Sequence, residues 1–359
     1  MKYLLRLSLV LLACGAFAAC GEGGGSSSPL SVNTPAPSPT PTRTPLPGPI
    51  VAGQLLPPAG TIYLGAYVDT TGLTGGNTPA DLIQFESELG RTLALHMYYQ
   101  SFLTNWGNRS AQDDFNNSRV PIDSWNCGDT NANIAAGLQD NEIKLKADEI
   151  KTYGWPVFVR FFWDMNLPAS QLSRSLCFDP HFDYTDQNTH VQTFNGAEFI
   201  AAWKHVHDIF VQEGAVNAIF VWSVDSLGVN PLNPSDNGDD HYYYPGDAYV
   251  DWVAIDAYDV NGTSFANTYA PMYSVVSGLH KPIMIAETGV PPASQASFFT
   301  GGASVLAQQF PQVKAYSYYD AVYYAVGFQE NQDWRIGSSG LPSFSAFAND
   351  PYLQGTYVH

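Results

Sequence analysis

The chain has 359 residues, 45% of them hydrophobic and 14% aromatic, with 33 acidic against 15 basic side chains and a net charge of −18. A surface this acidic repels nucleic acid and anionic lipid and offers no basic groove for phosphates, so a neutral substrate is expected.

Residues 1–19 read as an export signal. Lys2 and Arg6 precede an apolar stretch over 7–17 that is too short for a permanent span. Phe17-Ala18-Ala19-Cys20 resembles a bacterial lipobox, which implies lipidation of Cys20; an ordinary signal peptide cut nearby is the alternative. Residues 20–49 read as a tether, Gly/Ser-rich over 23–28 and Pro/Thr-rich over 34–49, and unable to build a core. The chain is thus expected to be an exported, monomeric cell-surface lipoprotein that meets the membrane through its lipid anchor only. Cys127 and Cys177 remain in an oxidising compartment and are expected to form a disulfide, two buried thiols being the alternative. Their spacing does not suit a metal site, and neither a metal nor an organic cofactor is implied.

Residues 50–359 form the expected folded domain. Strands are predicted over 62–67, 92–98, 120–125, 156–163, 217–223, 250–257, 281–287 and 313–319. Helices are predicted over 79–89, 134–153, 197–212, 269–279 and 303–308, several bounded by Pro at the start or Gly at the end. Eight strands alternating with helices define an α/β fold, the (β/α)8 TIM barrel, as a single domain. A doubly wound sheet is the runner-up, weakened because no Gly-rich phosphate loop follows the first strand.

The strand ends carry the chemistry. Ile283, Met284, Ile285 and Ala286 form an unbroken apolar run, and Glu287 is the first charge after it. The fourth strand ends Arg160-Phe161-Phe162-Trp163-Asp164-Met165-Asn166, the fifth Val221-Trp222-Ser223, and the sixth Ile255-Asp256-Ala257-Tyr258. In a barrel these tips share one face, with Asp164 and Glu287 across the mouth from each other. Two carboxyls amid aromatic rings suit glycoside hydrolysis, one protonating the leaving oxygen and the other attacking the anomeric carbon or activating water. Asp225, Asp256 and Asp259 are further acids near that face, read as loop caps or helix N-terminal partners. His96 is read as either a sugar ligand or a satisfied rim histidine. Trp106, Trp125, Trp222 and Trp334 are candidate sugar platforms, each with a core alternative.

These residues resemble glycoside hydrolase family 26, over most of residues 60–340. The resemblance rests first on the Tyr244-Pro245-Gly246-Asp247 and Tyr249-Val250-Asp251-Trp252 runs. Gly137 to Asp140, Ala202-Trp203, Gly214 to Asn217, Val221-Trp222-Ser223 and Ile285-Ala286-Glu287-Thr288-Gly289 add to it. It implies activity on β-mannan or a related β-glucan or xylan, with Glu287 as nucleophile, Tyr258 bonded to it, and Arg160 beside the acid. Trp163, Asn166, Trp222, Trp125 and His96 complete the expected substrate-binding set. The family's acid slot holds Glu after His, whereas here it reads Trp163-Asp164, and the shorter side chain withdraws the carboxyl by about 1.5 Å. The family's tryptophans after the acid are absent over 167–180. Two rivals stand beside an enzyme: a carbohydrate-binding protein that has lost its acid, and a structural surface lipoprotein.

Overall fold

The computed structural model describes residues 55–70, 77–103, 106, 111–126, 128–167, 184–185, 192–193, 195–233, 242–323 and 332–357. The signal and tether, Cys20, Cys127 and Cys177 lie outside the described residues.

Eight parallel strands close into a barrel: β1 (Tyr63–Val68), β2 (Leu95–Gln100), β3 (Val120–Trp125), β4 (Val157–Phe161), β5 (Ala218–Asp225), β6 (Trp252–Asp256), β7 (Ile283–Glu287) and β8 (Val313–Asp320). Parallel pairing of β1 with β8, from Tyr63 opposite Ala315 to Val68 opposite Asp320, joins the two edges and excludes the doubly wound alternative. Around the barrel lie α1 (Pro79–Leu89), α2 (Ala111–Asn116), α3 (Asn131–Ala135), α4 (Asp140–Tyr153), α5 (Gly196–Glu213), α6 (Phe265–Val276), α7 (Gln295–Phe299), α8 (Gly302–Gln309) and α9 (Leu341–Ala348). Among the described residues no helix is long and apolar enough to cross a membrane.

Local chemistry explains the boundaries. Thr78 and Asp81 make a reciprocal capping box at the start of α1, and Gly90 ends it in the left-handed region. Asn195 caps α5, and Gly214 closes it the same way. The helix expected over 134–153 is two helices, because Gly137 adopts φ +82° and breaks the run between α3 and α4. The helix expected from 269 begins at Phe265, where Ser264 supplies the N-cap through Asn267 N–H. Short α2 and α7, of six and five residues, and α9, of eight, are not predicted from the sequence.

Strand alternation divides the core into two layers. Leu95, Met97, Val120, Ile122, Phe158, Val221, Trp252, Ala254 and Met284 plug the barrel interior. Trp125, Phe161, Trp203, Trp222, Val253, Ile255 and Ile285 pack outward, between barrel and helices. Above the apolar plug, at the C-terminal ends of the strands, the inward positions turn polar.

Candidate active site

Arg160 is the hub of this polar layer. It points inward from β4, opposite Ser124 in the β3 register, and is fully buried. Its Nη1 donates to Ser124 Oγ (2.7 Å) and Glu287 Oε1 (2.9 Å); its Nη2 donates to Asp256 Oδ2 (2.6 Å) and Ser223 Oγ (3.0 Å). Burial alone would make the guanidinium easier to deprotonate, but the charges of Asp256 and Glu287 more than offset it. One buried cation thus organises carboxylates from two neighbouring strands in fixed fork geometry.

Glu287 reaches the site through an irregularity. In β7, Met284 and Ala286 face the barrel interior, so strict alternation would turn residue 287 toward the helices. Between β6 and β7 the register moves from Ile255 opposite Ile285 to Asp256 opposite Glu287, skipping Ala286. That one-residue slip re-aims Glu287 inward, as bulges beside functional sites commonly do. Its second oxygen, Oε2, accepts from Tyr258 Oη at 2.8 Å. Burial, then the Glu287 charge, holds the Tyr258 hydroxyl protonated well above its ordinary range. Tyr258 rests in turn on Trp334, with ring centroids 5.3 Å apart.

Asp164 approaches from the segment after β4. Phe162 and Asp164 both take positive φ, +48° and +61°, and the backbone is tied by Phe162 N–H to Trp125 O and Asp164 N–H to Ser223 O. Asp visits this region more readily than most residues, whereas Phe does so at a cost, and such strain persists where surrounding contacts over-determine it. Asp164 itself is half-buried, yet its Oδ1 is shut off from solvent. Its carboxyl lies within hydrogen-bonding reach of Asp256. Burial, then the charges of Asp256, Asp225 and Glu287, push its pKa well above the usual carboxylate range.

Half-buried rings surround these acids. Tyr67 stacks on Tyr319 at 5.0 Å, Tyr99 meets Tyr67 edge-on at 4.9 Å, and Trp163 meets Tyr99 at 5.5 Å. The Arg160 guanidinium lies 5.8 Å from the Trp163 ring. Burial and then the Glu287 charge raise the Tyr99 hydroxyl's pKa. These rings form an aromatic rim on which an apolar sugar face can stack while its edge hydroxyls reach the acids.

Of the expected site residues, Glu287, Asp164, Arg160, Trp163 and Tyr258 come together here. The other four do not. His96 points outward from β2 and is completely buried, with Nδ1 facing Asp114 Oδ1 at 2.9 Å and Nε2 facing Asn77 Oδ1 at 3.0 Å, so neither nitrogen is left for a sugar. Trp125 stacks on Phe102 at 4.7 Å and donates to its carbonyl. Trp222 donates to Tyr243 O from the outward face of β5. Asn166 has its amide engaged with Asp225 O, Val229 O and Asp225 N–H, clamping the loop after β4 to the end of β5. Trp106 is likewise core, packed on Tyr153 at 4.5 Å. Asp259 caps its own loop through Thr263. Trp222→Phe is therefore expected to destabilise the fold by about 1–3 kcal/mol, by lost volume and an orphaned carbonyl, without changing polymer affinity. Urea denaturation and affinity electrophoresis read the two effects separately, and a selective loss of affinity would restore Trp222 to the cleft.

The sequence reading missed Tyr67, Tyr99, Tyr319 and Ser124, placed Ser223 at a strand end without a role, and favoured a structural role for Asp256. A parity signal was available for one of them. The apolar residues Leu95 and Met97 fix the inward face of β2, and the same parity selects Tyr99 and rejects His96.

The acids also set a pH dependence of stability. Burial first, then neighbouring carboxylates, pushes Asp225 up to about 7 and, despite Arg160, Asp256 up to about 6. Asp320, buried at the end of β8, is also pushed up to about 7. These groups keep protons in the folded chain that the unfolded chain releases near 3.8, so the stability tied to them is present at low pH and is lost as pH rises toward about 7. The denaturant midpoint should accordingly be higher at about pH 5 than at about pH 7.5; the reverse order would mean these carboxyls ionise freely in the fold.

No protein-family model matches the chain. Over 296 residues it is 28% identical to endoglucanase H of Acetivibrio thermocellus, covering 77% of this chain and 29% of the relative. Over 116 residues it is 31% identical to mannan endo-1,4-β-mannosidase A and B of Caldalkalibacillus mannanilyticus, covering 32% and 20%. The chain thus spans less than a third of the length of these curated relatives. Among solved structures, a glycoside hydrolase family 26 β-mannanase from Bacteroides ovatus superposes with a TM-score of 0.55 at 12% identity, covering 82% of this chain and 90% of the other. A Bacillus subtilis mannanase does so with 0.52 at 17% identity, covering 82% and 86%. The fold is that of these enzymes, and the Bacteroides ovatus neighbour carries the family name to which the sequence motifs pointed.

Proposed function

We propose that the chain is an endo-acting glycoside hydrolase that cleaves a β-linked polysaccharide of the mannan or glucan class, with Glu287 as nucleophile and Asp164 as general acid and base. The observation that carries this reading is the pinning of Glu287 by Arg160 on one oxygen and Tyr258 on the other, inside an aromatic cleft that also holds an acid, Asp164, whose pKa burial and its neighbours push well above the usual carboxylate range. A carboxylate so oriented can attack an anomeric carbon, and a carboxyl kept protonated can give its proton to the leaving oxygen. The relatives named endoglucanase and mannan endo-mannosidase support the substrate class. The test is reducing-end release from a panel of mannans, mixed-linkage glucans and xylans; no release from any of them would sink the enzyme reading.

A carbohydrate-binding protein is the second reading, favoured by the shortened acid. It predicts retardation in the same polymers during affinity electrophoresis without release of reducing ends. Anchoring at the cell surface through a lipidated Cys20 is part of the proposal, resting on the lipobox-like run and the tether after it. Cys20→Ala should move the protein from the membrane fraction to the soluble one; unchanged fractionation would refute the anchor.

A further inference from the structure

We propose that Asp164 and Asp256 share a single proton and work as one unit, Asp256 being the positioning residue that makes a shortened acid serviceable. This rests on Asp164 being the general acid. The two carboxyls lie within hydrogen-bonding reach of each other, yet each keeps one enclosed oxygen, Oδ1, to which nothing donates. Two ionised carboxyls in such contact, each with one oxygen shut off from water, repel with no donor between them, and one proton relieves both orphaned oxygens.

The surroundings decide where that proton sits. Asp256 Oδ2 already accepts from Arg160 Nη2 at 2.6 Å and from Ser223 Oγ at 2.8 Å, so the negative charge belongs on Asp256. The Arg160 donors go to Ser124, Ser223, Asp256, Glu287 and the Met97 sulfur, and none goes to Asp164. Asp225 on β5 and Glu287 on β7 add further negative charge toward Asp164. The hydroxyls near Glu287, those of Tyr258 after β6 and Tyr99 on β2, are themselves held protonated by burial and by its charge. Asp256, Asp225 and Glu287 therefore drive the proton onto Asp164 against the opposing charge of Arg160, with Asp256 as its acceptor.

The pair also fits both halves of the reaction. In the first, Asp164 releases the proton to the glycosidic oxygen as the bond from that oxygen to the anomeric carbon breaks and a Glu287 oxygen bonds to the carbon. Asp164 and Asp256 are then both carboxylates in contact. Their repulsion strengthens Asp164 as a base, which takes a proton from water while the water oxygen bonds to the anomeric carbon and Glu287 leaves as carboxylate. The shared proton is restored, and no external reagent is needed.

Infrared difference spectroscopy of the purified chain at neutral pH tests the sharing directly. Asp256→Asn and Asp164→Asn should each remove the same single protonated-carboxyl band, because one proton serves both residues. Survival of that band in Asp256→Asn overturns the proposal, since Asp164 would then hold its proton unaided. Should Asp256→Asn not fold, Asp256→Ser takes its place under the same criterion: loss of the band supports the sharing and its survival overturns it. In active preparations, Asp256→Asn should move the basic limb of the polymer pH–rate profile down by about one unit or more; a lowered rate with an unmoved limb would mean a merely structural role and would also overturn it. The spectroscopic arm needs no turnover. A shared band without hydrolysis of any polymer would thus refute the enzyme reading and leave the shared proton standing.

Discussion

Glu287→Gln is expected to abolish polymer hydrolysis while leaving the barrel folded. The amide matches the carboxylate in shape but cannot form the glycosyl ester on which a two-step displacement depends. Folding is spared for a specific reason. Stranding one partner of a buried ion pair ordinarily costs 3–5 kcal/mol, but Arg160 keeps Asp256 as counter-ion when Glu287 loses its charge. The glutamine carbonyl can still accept from Arg160 Nη1, and its amide can donate to Tyr258 Oη. One negative charge also leaves a cluster that holds Asp164, Asp225 and Asp256, which lowers the cost of ionising each of them. Reducing-sugar release and thermal unfolding measure the two halves of this expectation. Residual activity above about a tenth of the parent would place the nucleophile elsewhere, because loss of a true nucleophile costs orders of magnitude more.

The barrel was legible in the sequence because its signals are local and repeated. Apolar runs such as 283–286 need only burial on both faces, and Gly90 and Gly214 end helices through their own backbone freedom. The inner site was half legible. Arg160, Asp164, Tyr258 and Glu287 announce themselves as polar residues at strand ends. Which way a strand-end side chain points depends on register, and register is a property of two strands rather than one. The slip that skips Ala286 and turns Glu287 inward leaves no trace in the residues 283–287 themselves. The tryptophans misled because an indole serves equally as platform and as core; the carbonyls that Trp125 and Trp222 satisfy come from distant segments. The contact between Asp164 and Asp256 was invisible for the same reason, as it joins the loop after β4 to the end of β6 across β5.

Asp164→Asn should remove activity on natural polymers, by about 10²–10⁴-fold, and spare synthetic substrates whose leaving groups depart without a proton. The same change should stabilise the fold at neutral pH, since an amide replaces an enclosed acid surrounded by Asp225, Asp256 and Glu287. Asp164→Glu sets two effects against each other. The extra methylene restores about 1.5 Å of reach toward the leaving oxygen. Residue 164 sits at φ +61°, however, a conformation that Asp adopts more readily than Glu because its short polar side chain bonds locally. Polymer activity is therefore expected to hold or rise while stability falls by about 1 kcal/mol, a split that kinetics and denaturant melts resolve. The backbone thus gives a physical reason for Asp in this slot: a tight left-handed turn brings the carboxyl inward, and Asp256 supplies the acidity control. Should both variants match the parent on polymer, Asp164 is not the acid. Asp225, enclosed at the end of β5 and pushed up to about 7, would then be the carboxyl to test in its place.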